Sequence, residues 1–272
     1  MSETLPAIAA TPAAQNARRR LSHRVVQVMI GRIVLLVAVL GAWELAARAG
    51  LFPPAFIGQP SVFLVVLAKM LADGTILSPI ADTLSATALA FCIGGLLALV
   101  SALILTVLPL LREMVQPFLD ALNALPRVAL VPLFIVWFGL GMTSKVVSGV
   151  SLMYFILLFN TLAGARSVDP DHRALARSLG LSESQIFRQI MIPTAIPAIF
   201  AGLKLGLVYT LLGVVTAELI AGGKGLGSLV SYYSNTYDAN GVFAVLVVLV
   251  AVSFALSALM EKIESRLMKW KQ

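Results

Sequence analysis

The sequence predicts an all-α integral membrane protein, because it is strongly apolar and contains long segments without charge. Of the 272 residues, 59% are hydrophobic and only 12% are charged, and the mean hydropathy is +0.95. An ordinary soluble domain carries about 25% charged residues. A soluble molecule of this length cannot bury so large an apolar fraction, so the composition excludes a soluble enzyme.

Six apolar segments are long enough to cross a bilayer, which takes about 20 residues of helix. The predicted spans are residues 33–47, 83–111, 127–145, 145–166, 197–221 and 239–260. They form a predicted transmembrane domain of residues 31–262. A disordered basic tail (residues 1–30) is predicted before it, and a short C-terminal tail (residues 263–272) after it.

The basic residues indicate how these spans are oriented. With the N-terminus inside, fifteen Lys and Arg residues, Arg112 and Arg127 among them, lie on the cytoplasmic side and four lie outside. This asymmetry follows the positive-inside rule and predicts that both termini are cytoplasmic. It also accounts for the net charge of +7 without a nucleic-acid partner. A single cysteine, Cys92, and two histidines in separate segments argue against a Cys/His metal cluster.

Residues 169–197 form a cytoplasmic connection that is too long for a bare linker. Its apolar and basic residues fall on opposite sides of a helical wheel, and Gly180 predicts a turn between two short helices. The apolar side consists of Leu175, Leu179, Ile186 and Ile190. The pattern alone fits a helix lying on lipid headgroups and a docking element for a soluble partner equally well.

This connection resembles the EAA loop of ABC importer permeases, whose pattern is E-A-A, three residues, Gly, nine residues, Ile, one residue, Leu-Pro. Here Ala174-Leu175-Ala176 stands first, followed by Gly180, Ile190 and Ile192-Pro193. The glutamate and the first alanine of the pattern are replaced, whereas the spacing is kept. Other motifs resemble the branch of nitrate, sulfonate and taurine permeases: Trp43-Glu44-Leu45, Pro60-Ser61, Trp137-Phe138-Gly139-Leu140-Gly141, Ala217-Glu218 and Gly225-Leu226-Gly227.

The resemblance implies a type I ABC importer permease fold with cytoplasmic coupling helices, in a bacterial inner membrane. It implies a permease for a small solute, anionic or similar to a vitamin precursor, delivered by a periplasmic or lipid-anchored binding protein. The other implied partners are a second permease copy and two cytoplasmic ATPase subunits. ATP and magnesium are expected on those subunits, so no enzyme activity or cofactor is expected in this chain. The residues expected to couple to the ATPase are Ala174, Leu175, Ala176, Leu179, Gly180, Ile186, Ile190 and Pro193.

Candidate residues for the pathway or its gate lie in the third and fifth predicted spans: Pro126, Pro132, Trp137, Gly139 and Glu218. Prolines that break a helix are tolerated where the helix lines a cavity. Trp137 fits an interfacial anchor as well, and Glu218 fits either an outer gate or a helix cap.

A charged residue inside a span is costly, so Glu218 requires a partner. Lys204 lies in the same span but too far along it to pair directly, and we expect it to reach the inner membrane surface. The alternative function is a secondary transporter without an ATPase. That would need inverted repeats or buried ion-coupling residues, and neither is apparent.

Overall fold

The computed structural model describes residues 12–51 and 53–268, without the side chains of residues 12–25, 54, 55, 170 and 173. This part of the chain contains helices and no strand. Its α-helices are α1 (Pro12–Arg48), α2 (Pro54–Ile57), α3 (Pro60–Ala72), α4 (Leu77–Val107), α5 (Pro109–Ala124), α6 (Val131–Phe138), α7 (Met142–Arg166), α8 (Pro170–Ser178), α9 (Glu183–Ile186), α10 (Ile192–Ala221), α11 (Leu226–Asn235) and α12 (Ala239–Leu267). A 3₁₀ turn (Arg127–Leu130) precedes α6, and a π-helical turn (Phe187–Met191) precedes α10.

The N-terminal segment differs from the predicted disordered tail of residues 1–30. Helix α1 begins at Pro12, and its first turns are rich in Ala, Gln, Arg and Leu, which favour helix. At the other end, α12 continues to Leu267, beyond the predicted boundary at residue 262. Residues 1–11 and 269–272, which belong to the two predicted tails, lie outside the described residues.

Five segments have the length and hydropathy of membrane spans: Val26–Arg48, Leu77–Val107, Met142–Arg166, Glu183–Ala221 and Ala239–Leu267. The remaining predicted span is different. Instead of one helix between residues 127 and 145, α5 is followed by the segment Arg127–Phe138 at an angle of 81°. Leu125 is extended (ψ 135°) because the residue before a proline avoids the helical region, and Pro126 follows it.

This broken segment crosses from one end of the helix bundle to the other. At one end, Val107 and Pro109 share a cavity with Glu183 of α9. At the opposite end, Lys145 at the start of α7 contacts Glu218 near the end of α10. Since α5 begins at the first end and α7 at the second, the chain must cross between them. With the bent pair counted as one span, the described residues contain six crossings, and the third one runs over Pro109–Ala124 and Arg127–Phe138 instead of residues 127–145.

The bend also changes the position predicted for Arg127. The sequence placed it at the cytoplasmic surface, whereas its guanidinium donates to the carbonyl oxygen of Ser151, within α7. Because α5 supplies the first half of the crossing, Arg127 follows that half instead of preceding the span.

The core forms where α7 packs between α4 and α10. Helix α4 places a small, buried residue at every fourth position: Ala86, Ala90, Gly94, Ala98 and Ala102. Such a row lets helices approach closely in a membrane. Larger side chains of α7, including Met153 and Leu157, fill the space against it. Helix α1 lies at the periphery, and its apolar window has no buried residue.

Candidate functional site

The predicted coupling segment folds as two short helices joined by a turn, as expected from Gly180. Asp169 caps the start of α8, and its side chain accepts a hydrogen bond from the Asp171 amide. Helix α9 starts with a capping box between Ser182 and Gln185, which satisfies amide groups at the helix start. Gly180 has φ +83°, a conformation that side-chain-bearing residues rarely adopt.

The apolar residues of this segment divide into an exposed and a buried set. Leu175 and Leu179 are 58% and 71% exposed, whereas Ala176 and Ile186 are buried at 5% and 1%. The single apolar face predicted from the wheel is therefore interrupted by the turn. Ala176 and Ile186 are thus covered by the protein, whereas the two leucines are not.

The remaining predicted coupling residues flank this arrangement. Ala174 is exposed beside Leu175, and Ile190 is half-buried in the π-helical turn. Pro193 lies in the first turn of α10, where a residue without an amide proton disturbs the helix least. Pro197, which the sequence placed at the re-entry point, lies inside α10.

At the opposite end of the bundle, Glu218 is fully buried and holds several elements together. Lys145 of α7 donates to Glu218 Oε1 at 3.0 Å. Thr83 of α4 donates to the same carboxylate, with its Oγ1 2.8 Å from Oε2. The amide of Gly227, in α11, donates to Oε2 at 2.9 Å. One carboxylate thus joins α4, α7, α10 and α11. We call Thr83, Lys145, Glu218 and the Lys224–Ser228 segment the outer cluster, after the side of the membrane that the basic residues predict for it.

The glycine-rich loop of the outer cluster fits closely around the carboxylate. A Cβ added at Gly225 would lie 2.0 Å from Glu218 Oε1, and this residue has φ +111°. Lys145 also donates to the carbonyl oxygen of Lys224 at 2.6 Å, and Leu226 donates its amide to Thr83 Oγ1 at 2.8 Å. The backbone of the Gly-Leu-Gly motif therefore lies directly against the buried Glu218 carboxylate.

Of the outer cluster, only Glu218 was among the predicted site residues, and the side chains of Thr83 and Lys145 were missed. The sequence placed Lys145 in an outer loop and assigned no role to Thr83, yet Lys145 is only 5% exposed. A lysine in an apolar stretch next to Gly141 is a usable signal, because such a charge needs a partner. The required partner of Glu218 is thus Lys145, on another helix.

The comparisons with known proteins agree with this architecture. Residues 94–269 match the family model described as the inner membrane component of binding-protein-dependent transport systems. The chain belongs to this family.

Relatives and solved structures define the branch and the fold. The permease is 29% identical to the riboflavin transport system permease protein RibX of Chloroflexus aurantiacus, covering 100% of this chain and 99% of that one. It is 29% identical to the taurine transport system permease protein TauC of Escherichia coli, covering 91% and 90%. The structure of the methionine ABC transporter MetNI in an inward-facing conformation superposes with a TM-score of 0.60, at 18% identity, over 71% and 95% of the two chains.

A crystal structure of an amino acid ABC transporter gives a TM-score of 0.59, at 22% identity, over 75% of this chain and 97% of that one. The protein is therefore a membrane-spanning permease subunit of an ABC importer, of the nitrate, sulfonate and taurine branch, with the type I fold.

The predicted pathway residues of the permease do not form one site. Pro126, Pro132, Trp137 and Gly139 are exposed along the broken crossing, whereas Glu218 is enclosed. The hydrogen bonds of the Glu218 carboxylate go to Thr83, Lys145 and Gly227. Glu218 is thus buried, whereas the other four residues are exposed.

Two further charged residues, Lys204 and Glu44, have partners within the chain. Lys204 pairs with Glu261 of α12, and both side chains are exposed. Glu44 accepts from the Ser61 amide at 3.0 Å, from Ser61 Oγ at 2.7 Å and from Arg48 at 2.7 Å. Glu44 thereby caps the start of α3 from α1, a structural task. In the described part of the chain, no group of three or more His, Cys, Asp or Glu residues could hold a metal ion.

Proposed function

We propose that two copies of this permease form one translocation pathway, driven by two cytoplasmic ATPase subunits and supplied by a periplasmic or lipid-anchored binding protein. ATP and magnesium are bound and ATP is hydrolysed in the ATPase subunits, and this chain contributes no catalytic group. The family membership and the fold support this arrangement. Both termini and the α8–α9 segment then face the cytoplasm, in agreement with the distribution of basic residues.

The observation that carries the proposal is the pair of exposed leucines on the α8–α9 segment. Leu175 and Leu179 project from the bundle beside a glycine with positive φ. In water, an apolar side chain that is covered by a partner gains roughly 1.5–3 kcal/mol. These leucines are therefore suited to a groove in an ATPase subunit, and Ala174 lies next to them on the same helix.

The segment is also built to transmit motion. Its buried Ile186 and the capping box at Ser182 fix it to the π-helical turn that leads into α10. Helix α10 has 30 residues, about 45 Å at 1.5 Å per residue. It ends at the outer cluster, so a displacement of α9 by the ATPase is carried towards Glu218. In this proposal, Glu218 and Lys145 hold the outer gate shut.

A gate function makes a distinct prediction for Glu218→Gln. This change keeps the shape of the side chain but removes the charge that compensates Lys145. ATPase activity of the assembled transporter, measured without binding protein, should rise several-fold, while the transported solute stays the same. Normal basal ATPase activity with a changed solute preference would instead place Glu218 in a substrate site.

The names of the relatives support the proposed solute class. Their names refer to the transport of riboflavin, taurine and formylaminopyrimidine. We propose a small solute that is anionic or similar to a vitamin precursor. A thermal-shift screen of the cognate binding protein with members of both classes tests this directly, because its selectivity limits what reaches the permease.

Co-purification tests the coupling assignment. We expect the double variant Leu175→Ser/Leu179→Ser to insert normally but to retain less than a tenth of the ATPase bound by the unchanged permease. The matched control is Leu267→Ser, which changes an equally exposed leucine at the end of α12. Normal ATPase binding by the double variant would favour the alternative in which this segment lies on lipid headgroups, including a transporter without an ATPase.

A further inference from the structure

The first half of the broken crossing carries a polar flank along α5. On a helical wheel, Arg112, Gln116, Asp120 and Asn123 fall within an arc of about 80°. Gln116 Nε2 donates to Asp120 Oδ1 at 2.8 Å, so neighbouring members of the flank contact each other. We call these four residues the α5 polar flank. Such a row is unexpected in a segment that crosses a membrane.

Apart from the exposed Glu113, the rest of α5 is apolar and has two different surroundings. Val115 and Leu119 pack against the core formed by α4 and α7. Met114 and Phe118 are exposed on a separate apolar flank, which suits lipid or protein. Polar and charged side chains are costly in hydrocarbon. The polar flank therefore requires water or polar partner groups beside it.

Arg127 lies just beyond the polar flank, at the bend. Its Nη2 donates to Asn123 Oδ1 at 3.0 Å and its Nη1 to the Ser151 carbonyl oxygen at 2.6 Å. The guanidinium lies 3.7 Å from the centre of the Phe155 ring. These partners are neutral, and within the residues that the structure describes no carboxylate pairs with Arg127.

The depth of Arg127 follows from its contact with α7. Ser151 is nine residues after Met142 and fifteen before Arg166, the two ends of α7. At 1.5 Å per residue, the guanidinium is about 14 Å from one end and about 22 Å from the other. A hydrocarbon core is about 30 Å thick, so this cation lies well inside it.

We propose that the α5 polar flank lines the half of the pathway nearest the coupling segment, and that Arg127 binds the anionic group of the solute at the bend. The proposal rests on the proposed function and narrows its solute class to anions. A guanidinium has five donors in a fixed planar arrangement, which suits sulfonate, carboxylate or phosphate. Three of those of Arg127 donate to Ser151 O, Leu122 O and Asn123 Oδ1, which leaves two for an anion. Asn123 and Phe155 hold the side chain in place without neutralising it. The solute would then pass along Asp120 and Gln116 towards α9.

Cysteine labelling of the assembled transporter in nanodiscs, with both faces accessible, tests the lining. In a Cys92→Ala background, Gln116→Cys and Asp120→Cys should react with anionic sulfonatoethyl methanethiosulfonate at least tenfold faster than Phe118→Cys and Ala121→Cys. The latter pair has the same depth in α5 but lies off the polar flank. Equal rates on the two flanks would overturn the proposal.

The charge at the bend is tested by comparing that reagent with the cationic trimethylammonioethyl methanethiosulfonate at Asn123→Cys. Arg127→Gln should lower the ratio of anionic to cationic labelling about fivefold, since one charge within a few ångströms is removed. Arg127→Lys should keep the ratio, and Asp120→Asn should raise it. An unchanged ratio in Arg127→Gln would overturn the anion site, even where the lining is confirmed.

The labelling rates can be measured without ATP and without knowledge of the solute. If the expected differences in labelling are absent while the transporter still couples uptake to ATP hydrolysis, only this inference is contradicted. Loss of ATPase binding or of binding-protein dependence contradicts the proposed function instead.

Discussion

The two ends of α10 both depend on glycine and on a few side chains, but in opposite ways. At the outer cluster, Gly225 is required because a carboxylate occupies the place of its side chain. At the coupling segment, nothing lies within 4 Å of a Cβ added at Gly180, and only φ restricts the residue. One end is closed around a buried ion pair, and the other presents exposed leucines.

This difference indicates that the outer cluster matters for the stability of the fold and the coupling segment for contacts with partners. A buried ion pair costs desolvation free energy and becomes expensive when one member is lost. Exposed leucines contribute little to the fold of the permease. Substitutions at the outer cluster should therefore change stability, whereas those at the coupling segment should change assembly and transport.

The largest effect is expected for Glu218→Ala. It leaves Lys145 buried without a counter-charge, which typically costs about 3–5 kcal/mol. We expect poor yield and a melting temperature in detergent at least 10 °C lower. The combined variant Glu218→Ala/Lys145→Met should recover part of that loss, because no unpaired charge remains. An additive, deeper loss in the combined variant would contradict the ion-pair account.

The next effect is expected for Gly225→Ala, which forces the added methyl group against the Glu218 carboxylate. We expect a loss of about 2–4 kcal/mol, from the displacement and the positive φ together. Gly223→Ala is the matched control, since Gly223 has φ +89° but nothing within 4 Å. That control should lose only about 1 kcal/mol. Equal melting temperatures for the two variants would contradict the close fit.

Gly180→Val should have a small effect on stability and a large one on transport. A β-branched residue at φ +83° costs about 1–2 kcal/mol in a turn with open space around it. Uptake in cells should fall below a tenth at normal membrane levels, because the turn no longer presents Leu175 and Leu179. Gly50→Val, with φ +69° and the same open space, should leave uptake intact.

The smallest effect is expected for Lys204→Gln. Its ion pair with Glu261 is exposed, and such pairs contribute below about 1 kcal/mol. The melting temperature and uptake should both stay close to those of the unchanged permease. A loss of transport with normal stability would instead assign Lys204 to the pathway.

Features that depend on local sequence could be predicted. The turn at Gly180 needs only its own neighbours, and the six crossings follow from runs of apolar residues. The partner of Glu218 could not be found in this way, since Lys145 is 73 residues distant in the chain. The third span was misplaced to residues 127–145, because the polar residues of α5 are typical of a cytoplasmic loop. For the same reason, Arg127 was predicted at the cytoplasmic surface and not at the bend.

The most direct test measures melting temperature and bound ATPase in the same purified samples of two variants. Leu175→Ser/Leu179→Ser should lose the ATPase and keep its melting temperature, whereas Gly225→Ala should melt lower and still bind the ATPase at low temperature. The account thus predicts that each variant loses one of the two properties and keeps the other. If both properties fell together in both variants, the two ends of α10 would not have separate functions, and the account would be wrong.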